Sequence, residues 1–160
     1  MIRTAVFASV LFALAACEPQ GPEPLADAVL VKPTCYTVDL YDDPYGRNEI
    51  QPAKEGLPQT WNRYLGVWGN SAWNGQQCHE IYVTEVFQDG SAVVIDTTAP
   101  FGPLRAESHR RPGFINEAGN LVVFANGRRV VYFWEDGRLR GQRERTDGQF
   151  DQVLLSRKSA

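Results

Sequence analysis

The sequence predicts an all-β chain: a single antiparallel up-and-down β-barrel of about eight short strands, with a β-sandwich as the alternative. Three observations predict it. From Trp61 onward, runs rich in Val, Ile, Tyr, Phe and Trp follow one another, the residue types that favour a pleated, half-buried strand. Turn signals stand between them: Asp89-Gly90, Ala118-Gly119-Asn120, Asn126-Gly127, Asp136-Gly137 and Asp147-Gly148. Asn-Gly and Asp-Gly suit the positive φ angles of tight hairpins. The links are also too short for parallel crossovers, which need about a dozen or more residues. Strands joined only by hairpins run up and down, and closing the meander removes its edges.

In chain order, the first element is an export signal. Residues 1–17 read MIRTAVFASVLFALAAC. Arg3 supplies a positive charge, and an apolar run from Ala5 to Ala16 follows, broken only by Ser9. The run falls short of the roughly 20 apolar residues that span a bilayer, and it has the form of a secretory signal. It ends in Leu14-Ala15-Ala16-Cys17, which resembles the bacterial lipobox. The resemblance implies cleavage before Cys17, diacylglycerol on its thiol and a lipid-anchored envelope protein. Two or three acyl chains at ~0.8 kcal/mol per buried CH₂ anchor stably. Glu18, in place of the Asp that favours inner-membrane retention in enteric lipoproteins, leans towards the outer membrane.

Seven of the ten prolines lie between Pro19 and Pro58. Residues 17–34 read as a lipidated tether, and residues 35–60 as an irregular extension packed on the barrel. Asp39, Asp42 and Asp43 in that extension lack the alternating ligands and central Gly of a calcium loop, and read as a solvated turn. The barrel domain is assigned to residues 61–158. Its expected strands are Tyr64–Trp68, His79–Phe87, Ala92–Thr97, Leu104–Ser108, Leu121–Ala125, Arg129–Glu135, Leu139–Arg145 and Phe150–Arg157.

With Cys17 taken by lipid, Cys35 and Cys78 remain. In an oxidising periplasm the pair is expected to form a disulfide that clips the extension onto the domain. The formal charge is −3. It divides unevenly: residues 18–100 carry twelve acids and four Lys/Arg, residues 101–160 eleven Lys/Arg and seven acids. The overall sign argues against nucleic acid as a partner.

No catalytic motif is found: Gly-x-Ser-x-Gly, a phosphate-binding glycine loop and His-Glu-x-x-His are all absent. No metal site or cofactor is expected. His79, on a strand, reads as a packed or surface histidine and not a ligand, and His109, in Ser108-His109-Arg110-Arg111, as part of a polar loop. The candidate binding residue is Arg143. In Arg138 to Arg145, strand alternation puts Arg138, Arg140, Gln142 and Glu144 on one face, and Leu139, Gly141, Arg143 and Arg145 on the other. An inward Leu139 brings Arg143 inward, where an unpaired guanidinium is costly. It would bind an anion through its planar fork, or else lie at the rim or pair with Glu85 or Asp151. Arg140, Tyr82 and Trp134 complete the candidate ligand-binding set. Arg105, Arg128 and Arg129 read as rim or surface charges. Trp61, Tyr64 and Trp73 surround the barrel entrance in sequence and read first as core packing and end caps, with a patch for a protein partner or for sugar stacking as the alternative.

Gly66-Val67-Trp68 on the first strand resembles the Gly-x-Trp that opens lipocalin and related calycin barrels. The resemblance implies that Trp68 closes one end of the barrel beneath Arg157 of the last strand. A second pattern runs W-G-x-x-x-W-x-G from Trp68, C-H-x-x-x-V from Cys78 and D-G-x-A-x-V from Asp89. It resembles a small β domain of proteobacterial exported proteins that sometimes accompanies hydrolase domains. The expected function is therefore a non-enzymatic binding or accessory lipoprotein for a small amphipathic or anionic ligand, facing the periplasm. A protein-interaction module of the envelope and a small hydrolase are the alternatives.

Overall fold

The computed structural model describes residues 22–35, 49–99 and 107–158. Cys17, the export signal, Asp39, Asp42, Asp43 and Arg105 lie outside the described residues. Two single-turn helices, α1 (Asp27–Leu30) and α2 (Gln59–Asn62), precede eight strands. These are β1 (Gly66–Trp73), β2 (Gln77–Val86), β3 (Ser91–Thr98), β4 (Glu107–Ile115), β5 (Leu121–Ala125), β6 (Arg128–Glu135), β7 (Arg138–Glu144) and β8 (Phe150–Arg157). Every strand pairs antiparallel with its sequence neighbours, and β8 returns to β1 at Trp68↔Arg157, closing the barrel. The predicted up-and-down barrel is the fold, and the sandwich is excluded.

Alternation decides what fills it. Trp68, Ile81, Val83, Val94, Leu121, Tyr132, Leu139, Val153 and Leu155 point inward and are almost wholly buried. One end is shut. Arg157 crosses the ring of Trp68 at 4.4 Å and donates from its terminal nitrogens to the carbonyls of Leu65 (2.9 Å) and Arg63 (2.8 Å). Gly66 permits this: its φ is +132°, and a Cβ there would lie 2.6 Å from an Arg157 nitrogen. Trp68 Nε1 donates to the Tyr64 carbonyl, and Trp134 meets Trp68 edge-on at 5.7 Å.

At the other end the described residues leave a gap. β4 pairs with β3 along its whole length, from Glu107↔Thr98 to Phe114↔Ser91, but with β5 only from Gly113 to Ile115. The wall therefore parts between the first half of β4 and the end of β5. Here the structure corrects two expectations. The strand expected at Leu104–Ser108 is β4, at Glu107–Ile115, and the polar loop expected around His109 is the middle of that strand. Its Arg-rich composition hides it, because the facing β3 and not a buried apolar stripe dictates the pairing.

Cys35 and Cys78 form the expected disulfide. Within the stretch read as a tether, residues 23–34 lie on the barrel wall. Gln152 donates to the carbonyl of Glu23 and accepts from the amide of Leu25, Ser71 donates to the carbonyl of Leu30, and Leu30 is fully buried. Asp27 pairs with Arg138 and Arg140 at 2.8 and 2.9 Å, and these two bonds, Arg138's first, hold its carboxyl below the usual range. Prolines made the segment look extended and free; its alternating polar anchors tie it down.

Candidate functional site

The gapped end of the barrel holds a cavity of about 320 Å³. Its walls come from both sides of the parted seam: Asp96, Glu107, His109 and Arg111 from β3 and β4, Val123 to Val130 from β5, β6 and their turn, and Trp73 and Arg143 from β1 and β7. Tyr132 forms the floor, beneath which the apolar core begins.

Arg143 is where alternation put it. Leu139 and Gly141 are buried, and Arg143, the next residue on that face, lines the cavity. Its guanidinium lies 4.3 Å above the Trp73 ring, and its Nε donates to Asp151 at 2.9 Å. Of the two acids expected as partners, Asp151 is the one used; Glu85 takes Lys54. Asp151 is held in place by Asn74, which donates to its other oxygen at 2.7 Å while Asn74 itself is fastened to the Gln152 backbone. Asn74 and Arg143 thus leave Asp151 little freedom, and Asp151 and Trp73 fix the guanidinium plane.

Beneath Arg143 lies a buried polar chain. His79 is fully buried, with Nδ1 3.2 Å from the Thr97 carbonyl and Nε2 2.9 Å from the Tyr132 hydroxyl. Nδ1 also lies 3.5 Å from Asp96. A carbonyl can only accept, so Nδ1 carries the proton and Nε2 accepts from Tyr132. Burial, against the opposing pull of Asp96, lowers the His79 pKa and keeps the ring neutral. Burial likewise pushes the Tyr132 phenol well above its ordinary value. Trp73 leans on the His79 ring at 5.0 Å, so the aromatic stack under the guanidinium continues to the floor.

Two donors in this wall have no acceptor among the described residues: Trp73 Nε1 and Arg111 Nε, both buried. Arg111 spends one terminal nitrogen on Asn126 at 2.8 Å, and its Nε stands 3.9 Å from Asp96, beyond hydrogen-bond distance. Unpaired buried donors are uncommon, and both of these atoms lie below the cavity surface. Three guanidinium groups, those of Arg111, Arg128 and Arg143, line the same cavity against the carboxylates of Asp96 and Glu107. The arrangement suits an oxygen-rich or anionic group set against an aromatic and aliphatic wall.

The other candidate residues lie elsewhere. Arg140 faces outward, bonded to Glu135 and Asp27, and serves the docking of α1. Tyr82 is on the outer face of β2, opposite to the core-facing Ile81 and Val83. Trp134 points inward but packs at the shut end against Trp68 and Tyr64. Before the bulge that follows Val83, even-numbered residues of β2 turn outward, and β6 runs from Arg128 at the cavity end to Glu135 at the shut end, which removes Tyr82 and Trp134 from the cavity. Trp61, Tyr64 and Trp73 do not gather at one entrance: Trp73 lines the mouth, whereas Trp61 packs under Gly90 and Tyr64 bonds to Gly119 at the far end. Sequence reasoning missed Asp96, Arg111 and the His79–Tyr132 pair. Asp96 is legible in retrospect, sharing the face of Ala92 and Val94 on β3.

No group of three or more His, Cys, Asp or Glu side chains able to hold a metal occurs among the described residues. Compared with models of protein families, with curated proteins and with solved structures, the chain matches none.

Proposed function

We propose that this protein is a periplasm-facing envelope lipoprotein, anchored through Cys17, whose lipocalin-like barrel binds a small ligand at its open mouth. The supporting observation is Arg143: a guanidinium fixed inside the barrel by Asp151 and Trp73, on the wall of a cavity that Arg111 and Arg128 also line. The ligand is amphipathic, with a carboxylate or similar anionic head for the arginines and a small apolar part for Val123, Ala125 and Val130. The volume admits a molecule of modest size, not a long acyl chain laid through the core, because the shut half of the barrel is filled.

A second reading, a small hydrolase, draws on one observation: His79 and Asp96 approach within 3.5 Å at the cavity floor. It is the weaker reading. The His79 Nε2 lone pair is occupied by Tyr132, and the hydroxyls among the described lining residues are those of Thr98 and of a phenol held neutral by burial. A nucleophile needs a base free to take its proton.

The test is native mass spectrometry of the mature protein extracted from membranes, with parallel analysis of copurified small molecules. We expect a bound anionic amphiphile in the parent protein. In Arg143→Gln, affinity should fall about tenfold to a hundredfold, the loss of one charge-assisted contact of roughly 1.5–3 kcal/mol. An unliganded parent protein that also fails to take up short-chain fatty acids would sink the binding reading.

A further inference from the structure

The barrel wall from β4 to β8 is not uniformly polar outside. Among the described residues, the exposed large hydrophobics of the strands are Phe114 on β4, Phe124 on β5 and Phe150 on β8, and all three lie on this side. Phe114 and Phe124 stack at 6.2 Å, and Phe124 is 48% exposed. Between β5 and β8 runs a shallow outer groove of about 480 Å³, with Val131, Phe133 and Phe150 in its wall. Cations border the phenylalanines: Arg110 on β4, Arg129 on β6 and Arg145 after β7 are exposed, with Glu144 and Asp147 as the nearby acids. Aromatic rings ringed by arginines match a lipid surface, where apolar groups enter the headgroup layer and cations meet phosphates.

The chain itself says which way this face turns. Glu23 is fastened to Gln152, which lies on the outer face of β8 two residues from Phe150. Cys17 precedes Glu23 by six residues, so at ~3.5 Å per residue the lipidated cysteine stays within roughly 20 Å of that point. From Glu23 the chain leads towards β7, β1 and the disulfide on β2, covering the wall on that side with Leu30 and its neighbours. Among the described residues, the wall next to the anchor point that no other segment covers is the phenylalanine–arginine face.

We infer that this face lies on the membrane that holds the lipid, and that its occupant is an anionic phospholipid surface. The inference rests on the lipid anchor proposed above. The barrel then lies on its side, with the mouth beside the headgroups and open to ligands that partition there.

Hydroxyl-radical footprinting of the acylated protein reads phenylalanine exposure directly. The protein is reconstituted in vesicles of phosphatidylcholine alone or with phosphatidylglycerol, and its acyl chains are verified by mass. Oxidation of Phe124 and Phe150 should fall several-fold on the anionic vesicles relative to the neutral ones, and that of Val29, exposed on the N-terminal segment against Gly75, should not change. Arg110→Glu with Arg129→Glu should abolish the difference without loss of the acyl mass. Equal oxidation on both vesicles, in protein shown to be acylated, overturns the docking face and leaves the anchor standing. A mass without acyl chains overturns the anchor and this inference together. Protection that develops in concentrated protein without lipid assigns the face to a second copy and overturns the membrane occupant.

Discussion

His79 shows what a single residue contributes when its surroundings close around it. Both ring nitrogens are engaged, Nδ1 by the Thr97 carbonyl and Nε2 by the Tyr132 hydroxyl, and the ring is shut off from water. Besides Asp96 on β3, the charged groups acting on it are Arg143 on β7 and Glu80 on its own strand. Its folded pKa lies below the 6.5 of a free histidine, chiefly through burial. The sign follows: between the lowered and the ordinary value the unfolded chain binds a proton that the folded chain refuses. The contribution is therefore complete above about pH 6.5 and is lost progressively as the pH falls below it. Thermal unfolding at pH 7.5 and pH 5 should give a lower midpoint at pH 5, and His79→Gln should reduce that dependence. A midpoint that does not change between the two pH values would contradict a buried neutral ring. Sequence alone left His79 either packed or at the surface; its burial and its partners, which come from β3 and β6, are decided by the barrel.

At the scale of the element, β7 was legible and β4 was not. In β7, Leu139 marks the inward face, and period-two alternation carries the assignment through Gly141 to Arg143. Gly141 has its own reason to be there: an added Cβ would lie 2.7 Å from Val153 and 2.8 Å from the ring of Tyr132. The glycine makes room for the phenol that floors the cavity. Gly141→Ala should cost about 1–3 kcal/mol by overpacking, measured by urea unfolding. A neutral result would mean that the Tyr132 ring has space to move. In β4 no such anchor exists. Glu107, His109 and Arg111 occupy the inward positions because β3 pairs with the whole strand, and they stay solvated because β5 is too short to cover them.

For the whole molecule, the disulfide joins the N-terminal segment to β2 across a sequence separation of 43. Closing a loop of that size removes roughly 4 kcal/mol of unfolded-state entropy. Cys35→Ser with Cys78→Ser should lower stability by about that much, because the entropy the bond removed returns to the unfolded chain. The expected pattern is a lower midpoint in denaturant with the barrel's spectrum kept. An unchanged midpoint would show that the polar anchors on Gln152, Ser71 and Arg140 hold the segment unaided. The same attachments fix residues 23–35 to one side of the barrel.

Local physics settled the hairpins, the strand count and the inward direction of Arg143, since turn chemistry and alternation depend on residues close in sequence. Trp68 under Arg157 is different: a resemblance of Gly-x-Trp to a family signature implied it, and the pairing of Trp68 with Arg157 across β1 and β8 makes it. The cavity belongs to the tertiary structure. It exists because β4 and β5 part company, and the register of eight strands, which no single segment contains, brings Asp96, Arg111, Tyr132 and Arg143 to one mouth while sending Tyr82 outside and Trp134 to the opposite end.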